Sequence, residues 1–503
     1  MTANKPVSLR NWHLNMTLVR SNGLSLHLQL VQAVVNEVRK GRLLPGTPLP
    51  GTRKMSEDLG INRKTVVQAF EELQAQGWIE TEPRRGSFIS HKLPIFASHE
   101  TSLAGSAAFP LSLTGSGLET YALSVTPVKP SQWQFSDGVP DTRLVPFDVL
   151  SRAFRRALLI SSRANRLAYD DARGNISLRS AIADMLRQER GMAVSTEEVC
   201  IIRGSQMGIY LSARLLSSHT GCVVMEKLSY PPAREAFESF GLDIAYVDQD
   251  DDGMSLDGLT QLCQQRQISA VYTTPQHQFP TTCTLSLERR IRLLALAEQF
   301  NFIIIEDDYD HEFHFSHKPM LPLASMETAG RVIHIGSLSK ILAPGLRLGY
   351  MVAPEGFIQR CGREILLIDR QGNAVTELAV AELMANGQMK RHIRRALKVY
   401  QLRRDHAVKR VREILPMARF NVPSGGLALW LCFDEQLDMD KLQKDAEALG
   451  LSVLLGDLFS GINEKTHALR LGYADLNETE FDQTLMCLSH AIAKQEGGET
   501  DLI

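Results

Sequence analysis

No apolar run in this 503-residue sequence approaches the ~20 residues that a helix needs to cross a bilayer. The opening stretch, MTANKPVSLRNWHL, lacks a continuous apolar core, so no secretory signal is expected. Cysteine is scarce: the seven are Cys200, Cys222, Cys263, Cys283, Cys361, Cys432 and Cys487. Their number is odd and no two stand in a CxxC spacing, which argues against a disulfide framework or a zinc site and for free thiols in a reducing cytoplasm. No metal site is expected. Net charge is also small, at −2, and a hydrophobic content of 44% is that of an ordinary globular chain. The length calls for ~2–4 domains.

The small net charge conceals an asymmetry. Residues 1–93 hold 13 Lys and Arg against 7 Asp and Glu, a surplus of six that leaves −8 on the remainder. A basic segment on a mildly acidic body is expected to meet a polyanion. In that segment Leu26, Leu30, Val34 and Val38 recur at helical spacing. LLPGTPLPG then breaks the helix. A short helix is expected from about Arg53 to Leu59, capped by Gly51 or Thr52 and stopped at Gly60. A third helix, N-capped by Asn62, carries Val66, Phe70 and Leu73 on its apolar face and ends at Gly77. WIETEPRRGSFIS reads as two short strands about a turn at Pro83–Gly86.

Helix, helix, turn, helix and hairpin make a winged helix-turn-helix order. Such a third helix lies in the major groove and shows its first turn, here Asn62, Arg63, Lys64 and Thr65, to base edges. Arg53 opens the preceding helix, and Arg84, Arg85 and Gly86 form a basic wing tip suited to phosphates or the minor groove. The stretch from LLPGTPLPG to GSFIS resembles the DNA-binding domain of GntR-family bacterial regulators, over about residues 25–90. The resemblance implies a double-stranded DNA operator as partner. Gly51 stands where that family usually has a serine cap.

We assign residues 15–92 to this domain. Residues 93–131 are rich in Ser, Thr, Ala and Gly and read as a linker. From residue 132 to 495, short apolar strand candidates (VCII, CVVM, IAYV, AVYT, FIII, VIHI, GYMV) alternate with helical stretches. A mainly parallel sheet covered by helices is expected. Its large part runs from about 165 to 375. A smaller α+β part follows over about 376–495.

Within this half, Lys340 lies in GSLSKILAPGLRLGY. A lysine that bonds covalently to an aldehyde cofactor needs a phosphate cradle, a carboxylate for the ring nitrogen and a donor for the phenolic oxygen. The hydroxyls of Ser337 and Ser339 and the guanidinium of Arg347 suit the phosphate. RGSQMG follows the strand VCII and opens a helix, which puts the amides of Gly204, Ser205 and Gln206 at a helix N-terminus. Asp307 and Tyr309, two apart at the end of a strand, face one side. Asp307 suits the pyridine nitrogen and Tyr309 the phenolic oxygen. Singly, each stretch also has a plain structural reading; together and in this order they point to pyridoxal 5'-phosphate.

The combination resembles fold-type I pyridoxal-phosphate enzymes of the aspartate aminotransferase class. The resemblance implies an internal aldimine at Lys340, ring stacking by Tyr230, and a tyrosine, Tyr169, that reaches the partner subunit's phosphate. It also implies cofactor contacts from His277 and Gln278 and a substrate-carboxylate arginine at Arg470. The chain departs from the pattern where EKLS precedes Tyr230, at Thr282, and at Arg203.

The whole chain resembles the MocR branch of the GntR regulators, with TPQHQFP and IIEDDYDHEF especially alike. That resemblance implies a cytoplasmic, bacterial, pyridoxal-phosphate-responsive regulator that associates with the nucleoid when bound to DNA. It also implies an amino compound or amino acid as effector and a domain-swapped homodimer. The alternative is a working aminotransferase with an accessory DNA-binding domain. A third reading gives the large domain a role in dimerisation only.

Overall fold

A computed structural model describes residues 25–83, 85–93, 133–163, 168–315, 320–327 and 329–495. These fall into two compact units, one holding the described residues up to 93 and the other those from 133 on. Arg84, the expected linker apart from Leu93, and residues 15–24 lie outside the described residues.

The first unit has helices Leu26–Arg39, Thr52–Leu59 and Arg63–Ala75, then an antiparallel hairpin of Ile79–Glu82 with Gly86–Ile89. The second helix starts after Gly51 and stops at Gly60, which adopts φ 62° in the left-handed region. Glycine enters that region without the Cβ penalty. Asn62 caps the third helix by accepting from the Lys64 amide at 2.9 Å. Leu30, Val34, Met55, Val66, Phe70, Leu73, Trp78 and Ile89 close one apolar core. The first helix and the hairpin are thereby fixed to the third helix, leaving that helix's first turn exposed.

The second unit is built on a seven-stranded sheet. In spatial order its strands are Val199–Ile202, Gly349–Val352, Val332–Ser337, Ile303–Asp308, Ile268–Thr273, Cys222–Glu226 and Ile244–Val247. All are parallel except Gly349–Val352, which runs against both neighbours. The central strands are buried along their whole length, as expected when helices cover both faces.

A smaller sheet joins Ala428–Cys432, Ala468–Gly472 and Leu454–Leu455. It packs with the helices Gln388–Ile414 and Glu478–Ala493 into a separate apolar cluster. Trp133–Gln134 pairs in parallel with Leu451–Ser452, and Phe135 is buried in the same cluster. The first described residues of the second unit therefore fold with its last part. Helix Ala374–Ala385 instead packs on Phe147–Arg163 and Ile176–Arg190. The sequence order conceals both exchanges, since each is made by pairing across the length of the unit.

Candidate functional site

On the first unit, the side chains of Arg53, Arg63 and Lys64 are exposed, and Thr65 is half-buried beside them. The carbonyl oxygen of Asn62 is committed to its cap, so only its amide N–H groups are free to face a ligand. Arg85 and Gly86 are exposed at the wing tip; Arg85 pairs with Glu82 and lies 5.7 Å from the Phe88 ring centroid. Gly86 adopts φ 110°, which its turn requires.

In the second unit a cavity lies at the carboxyl ends of the sheet strands. Asp137, Ser205, Tyr230, Tyr272, Thr274, Phe279, Asp307, Tyr309 and Lys340 line it. Strand Ile303–Asp308 delivers Asp307 at its end and Tyr309 just beyond. Lys340 Nζ donates to the Gly138 carbonyl at 3.1 Å and stands 4.4 Å from the centre of the Tyr309 ring. Burial pushes the Lys340 ammonium below its ordinary value, towards the neutral amine that a nucleophile requires.

Asp307 accepts from the Tyr272 hydroxyl through Oδ2 at 2.9 Å, while its Oδ1 is buried without a partner among the described residues. Burial raises the Asp307 carboxyl to about 7, and the Tyr272 hydrogen bond acts against that rise. A buried acceptor left open is costly in a finished fold. A protonated ring nitrogen beside Oδ1 would satisfy it.

Arg470 is a second group with open chemistry. It is 2% exposed. Its Nε donates to the Asp137 carbonyl at 2.8 Å and its Nη1 to the Pro280 carbonyl at 2.5 Å. The guanidinium lies 4.3 Å from the Phe279 ring centre, and no carboxylate among the described residues forms an ion pair with it. A buried cation without a counter-ion invites an anion.

Beside the cavity, Gly204 (φ 75°) caps helix Ser205–Leu216. A Cβ on Gly204 would stand 2.7 Å from Arg347 Nη2, so the guanidinium sits against the helix N-terminus. Arg347 itself adopts φ 48°, a conformation uncommon for a residue other than glycine. Its Nη2 donates to the Arg203 carbonyl at 2.8 Å. An arginine and free first-turn amides together form an anion cradle. The residues thus fit pyridoxal phosphate at three points: an amine, an open acceptor and an anion cradle.

Not every expected residue reaches the cavity wall. Ser339 Oγ donates to the Leu348 carbonyl and accepts from its amide, both at 3.1 Å, so its one proton is already used. Ser337 is buried at the end of its strand. Gln206 turns its amide to the Pro232 carbonyl. His277 is held by Asp310 at 2.8 Å, and Gln278 donates to the Leu228 carbonyl at 2.7 Å. Of that loop Thr274 and Phe279 line the cavity, Phe279 packed edge-on to Tyr230 and Tyr309. The Tyr309 hydroxyl donates to the His277 carbonyl at 3.0 Å. Tyr169 is exposed, under the guanidinium of Arg370, away from this cavity.

Sequence reasoning missed Asp137, Tyr272, Thr274 and Phe279. Tyr272 had a signal: a tyrosine inside an apolar strand must find a partner for its hydroxyl. Asp137 had none, because only folding returns its segment to the strand ends.

Architecture and site together define the class: an aminotransferase-type domain preceded by a winged helix-turn-helix. Residues 132–486 match the model of aminotransferase class I and II, and residues 26–89 match that of bacterial regulatory proteins of the gntR family. The chain is 28% identical over 438 residues to the probable rhizopine catabolism regulatory protein MocR of Rhizobium meliloti, covering 87% of each. It is 30% identical over 487 residues to the HTH-type transcriptional regulator TauR of Rhodobacter capsulatus, covering 93% of this chain and 96% of TauR. Among solved structures, a Pyrococcus horikoshii kynurenine aminotransferase in complex with PMP superimposes with a TM-score of 0.67 at 26% identity. That match covers 72% of this chain and 91% of that one. The chain belongs to the MocR-type branch of the gntR-family HTH-type regulators, whose second domain is of aminotransferase class I and II.

Proposed function

We propose that the chain is a DNA-binding transcription regulator whose second domain binds pyridoxal phosphate and senses an amino compound. The observation that carries this reading is Arg470, a buried guanidinium with no acidic partner among the described residues, tethered to the same short segment as Lys340. When bound, pyridoxal phosphate supplies an aldehyde that condenses with primary amines. Lys340 is the amine that holds it, and the lowered basicity of Lys340 keeps a lone pair available. Asp307 holds a proton on the ring nitrogen through Oδ1, with Tyr272 fixing the carboxylate from the other side. Arg347 and the first turn at Ser205 hold the phosphate. Tyr230 and Phe279 close apolar walls around the ring and exclude water. Arg470 binds the carboxylate of an amino acid effector.

Arg53, Arg63, Lys64, Thr65 and the wing tip at Arg85 and Gly86 read the operator. The effector acts only if it has different affinities for the DNA-bound and DNA-free states. A homodimer fits the surface: Tyr169 stands beside Arg370, which follows the exposed Leu366, Leu367 and Ile368. Covering that apolar run with a second copy also brings Tyr169 to a partner.

The decisive test is absorbance of the chain with pyridoxal phosphate, wild type against Lys340→Ala. A visible band unchanged in the variant refutes the assignment. Because Lys340, Asp307 and Arg470 are all present, amino transfer is the second reading. Sustained conversion of an amino acid with a keto acid, at ~1 per second or faster, supports it over sensing.

A further inference from the structure

We propose that the second unit holds a second ligand site, for an apolar carboxylate, in a cavity of about 710 Å³ that adjoins the segment carrying Lys340. The size falls in the range of small-molecule pockets, about 300–1,000 Å³. The cavity lies between helix Ile176–Arg190, the turn at His311–His314, and the start of helix Gln388–Ile414. Met185, Leu338, Ile341, Met384, Met389 and Ile393 give its wall an apolar face. Three methionines suit the wall to an irregular apolar body.

Two chain segments are shared between this cavity and the proposed cofactor site. Lys340 faces the first cavity, whereas Leu338 and Ile341 line the second. Likewise Asp307 and Tyr309 face the first, and His311 and Glu312 line the second. An occupant therefore bears directly on both segments that carry the cofactor groups.

The charges on the wall select the headgroup. Arg190 is paired with Asp308, and Asp184 with Arg187. His311 Nε2 is paired with Glu312 at 2.9 Å and Lys390 with Glu189 at 2.5 Å. His314 Nδ1 is bonded to the His311 carbonyl at 2.9 Å. Arg394 lines the cavity, is exposed, and has no ion-pair or hydrogen-bond partner among the described residues. Among the described residues Arg394 is thus the lysine or arginine of the wall that lacks an acidic partner, and its guanidinium matches the planar fork of a carboxylate. The carboxylates of Asp184 and Glu189 are answered within the protein, and Glu312 is answered through one oxygen, its Oε2 being buried away from the cavity surface without a partner among the described residues.

Calorimetric titration of octanoate into the full-length chain at about pH 7.5 tests this, with octanol and octylamine as comparisons. We expect octanoate to bind and both comparison ligands to bind at least about tenfold more weakly. Arg394→Ala should weaken octanoate about tenfold. Ala181→Trp on the half-buried wall, or Ala385→Trp on its exposed edge, should fill the space and abolish binding. Lys340→Ala and Arg470→Ala should leave binding intact, which separates this site from the proposed cofactor and effector site. The assignment is overturned if octanoate does not bind, if octylamine binds more tightly, or if Arg470→Ala rather than Arg394→Ala removes binding. Octanoate should also change the half-saturating concentration of pyridoxal phosphate several-fold; an unchanged value overturns the coupling between the two cavities.

Discussion

Lys340 and Arg470 are held by successive carbonyls: Gly138 accepts from Lys340 Nζ at 3.1 Å and Asp137 from Arg470 Nε at 2.8 Å. The group suited to an amine and the group suited to a carboxylate are thereby fixed a short, defined span apart. Under the proposed function, this spacing favours ligands that carry both. Arg470→Gln should weaken an amino acid effector by ~1.5–3 kcal/mol, about 10- to 150-fold, while a simple amine changes little. Shifts of the visible band of the pyridoxal-phosphate-loaded protein, titrated with each ligand, measure the two affinities. Equal losses for both would remove Arg470 from the carboxylate role.

Burial of Asp307, opposed by the hydrogen bond from Tyr272, sets a pH dependence. In the ligand-free chain burial raises Asp307 to about 7. Between the ordinary carboxylate range and about 7, the folded chain retains a proton that the unfolded chain has lost. Stability supplied by this group is therefore full at low pH and lost as pH rises through about 7. Cofactor binding runs the opposite way, because a protonated ring nitrogen needs the carboxylate. Burial lowers Lys340, which also favours binding as pH rises. Affinity for pyridoxal phosphate should increase from about pH 6 to about pH 8. Asp307→Asn should flatten most of that rise.

Removing the Tyr272 hydroxyl leaves Asp307 with both oxygens open. Tyr272→Phe should weaken pyridoxal phosphate by ~1–3 kcal/mol and move the midpoint of the pH dependence upward, since the hydrogen bond stabilises the carboxylate. A fall in affinity without a moved midpoint would mean that the hydroxyl serves packing alone.

Gly204 tests the phosphate cradle. Gly204→Ala puts a methyl group 2.7 Å from Arg347 Nη2 and demands a positive φ from alanine. Pyridoxal-phosphate affinity should fall by roughly tenfold or more, in line with a strain of ~1–3 kcal/mol. Gly345→Ala, whose new Cβ meets nothing within 4 Å, should behave as wild type. Binding curves monitored by absorbance distinguish the pair.

The exposed first turn of the third helix makes a separate expectation. Arg63→Ala should weaken operator binding by ~1–3 kcal/mol and relax base preference. Arg85→Ala should lower the dependence of affinity on salt, by about 0.9 in the log–log slope if one phosphate contact is lost. Fluorescence anisotropy with DNA upstream of the protein's own gene, across a salt series, reads both. Phe70→Ala is the contrasting change: it empties the core beneath that helix and should cost ~3–5 kcal/mol of stability.

Local chemistry explains which of these features were legible in the sequence. Asn62, Gly60 and the Leu30–Val34 stripe announce the helices because caps and apolar spacing act within a few residues. The buried strands announce themselves as short β-branched runs, and Asp307 with Tyr309 gives the inward side by alternation. What was not legible depends on chain return. Asp137 reaches Lys340 and Arg470 because Trp133–Gln134 pairs with Leu451–Ser452. Phe279 takes the wall because His277 is held by Asp310 and Gln278 by the Leu228 carbonyl. Ser339 matched a phosphate-binding pattern, yet its hydroxyl closes the turn to Leu348. No spacing rule along the sequence reports such competition for a single proton.

The central claim is that a ligand at Lys340 changes how the first unit binds DNA. The direct measurement is anisotropy of DNA from upstream of its own gene with the pyridoxal-phosphate-loaded chain, titrated with amino acids and amines. Lys340→Ala runs in parallel. The account requires at least one amino compound to change DNA affinity several-fold in the wild type and not in the variant, with ligand-free DNA binding similar in both. An equal response in the two proteins, or none with any amine that alters the visible band, would contradict it.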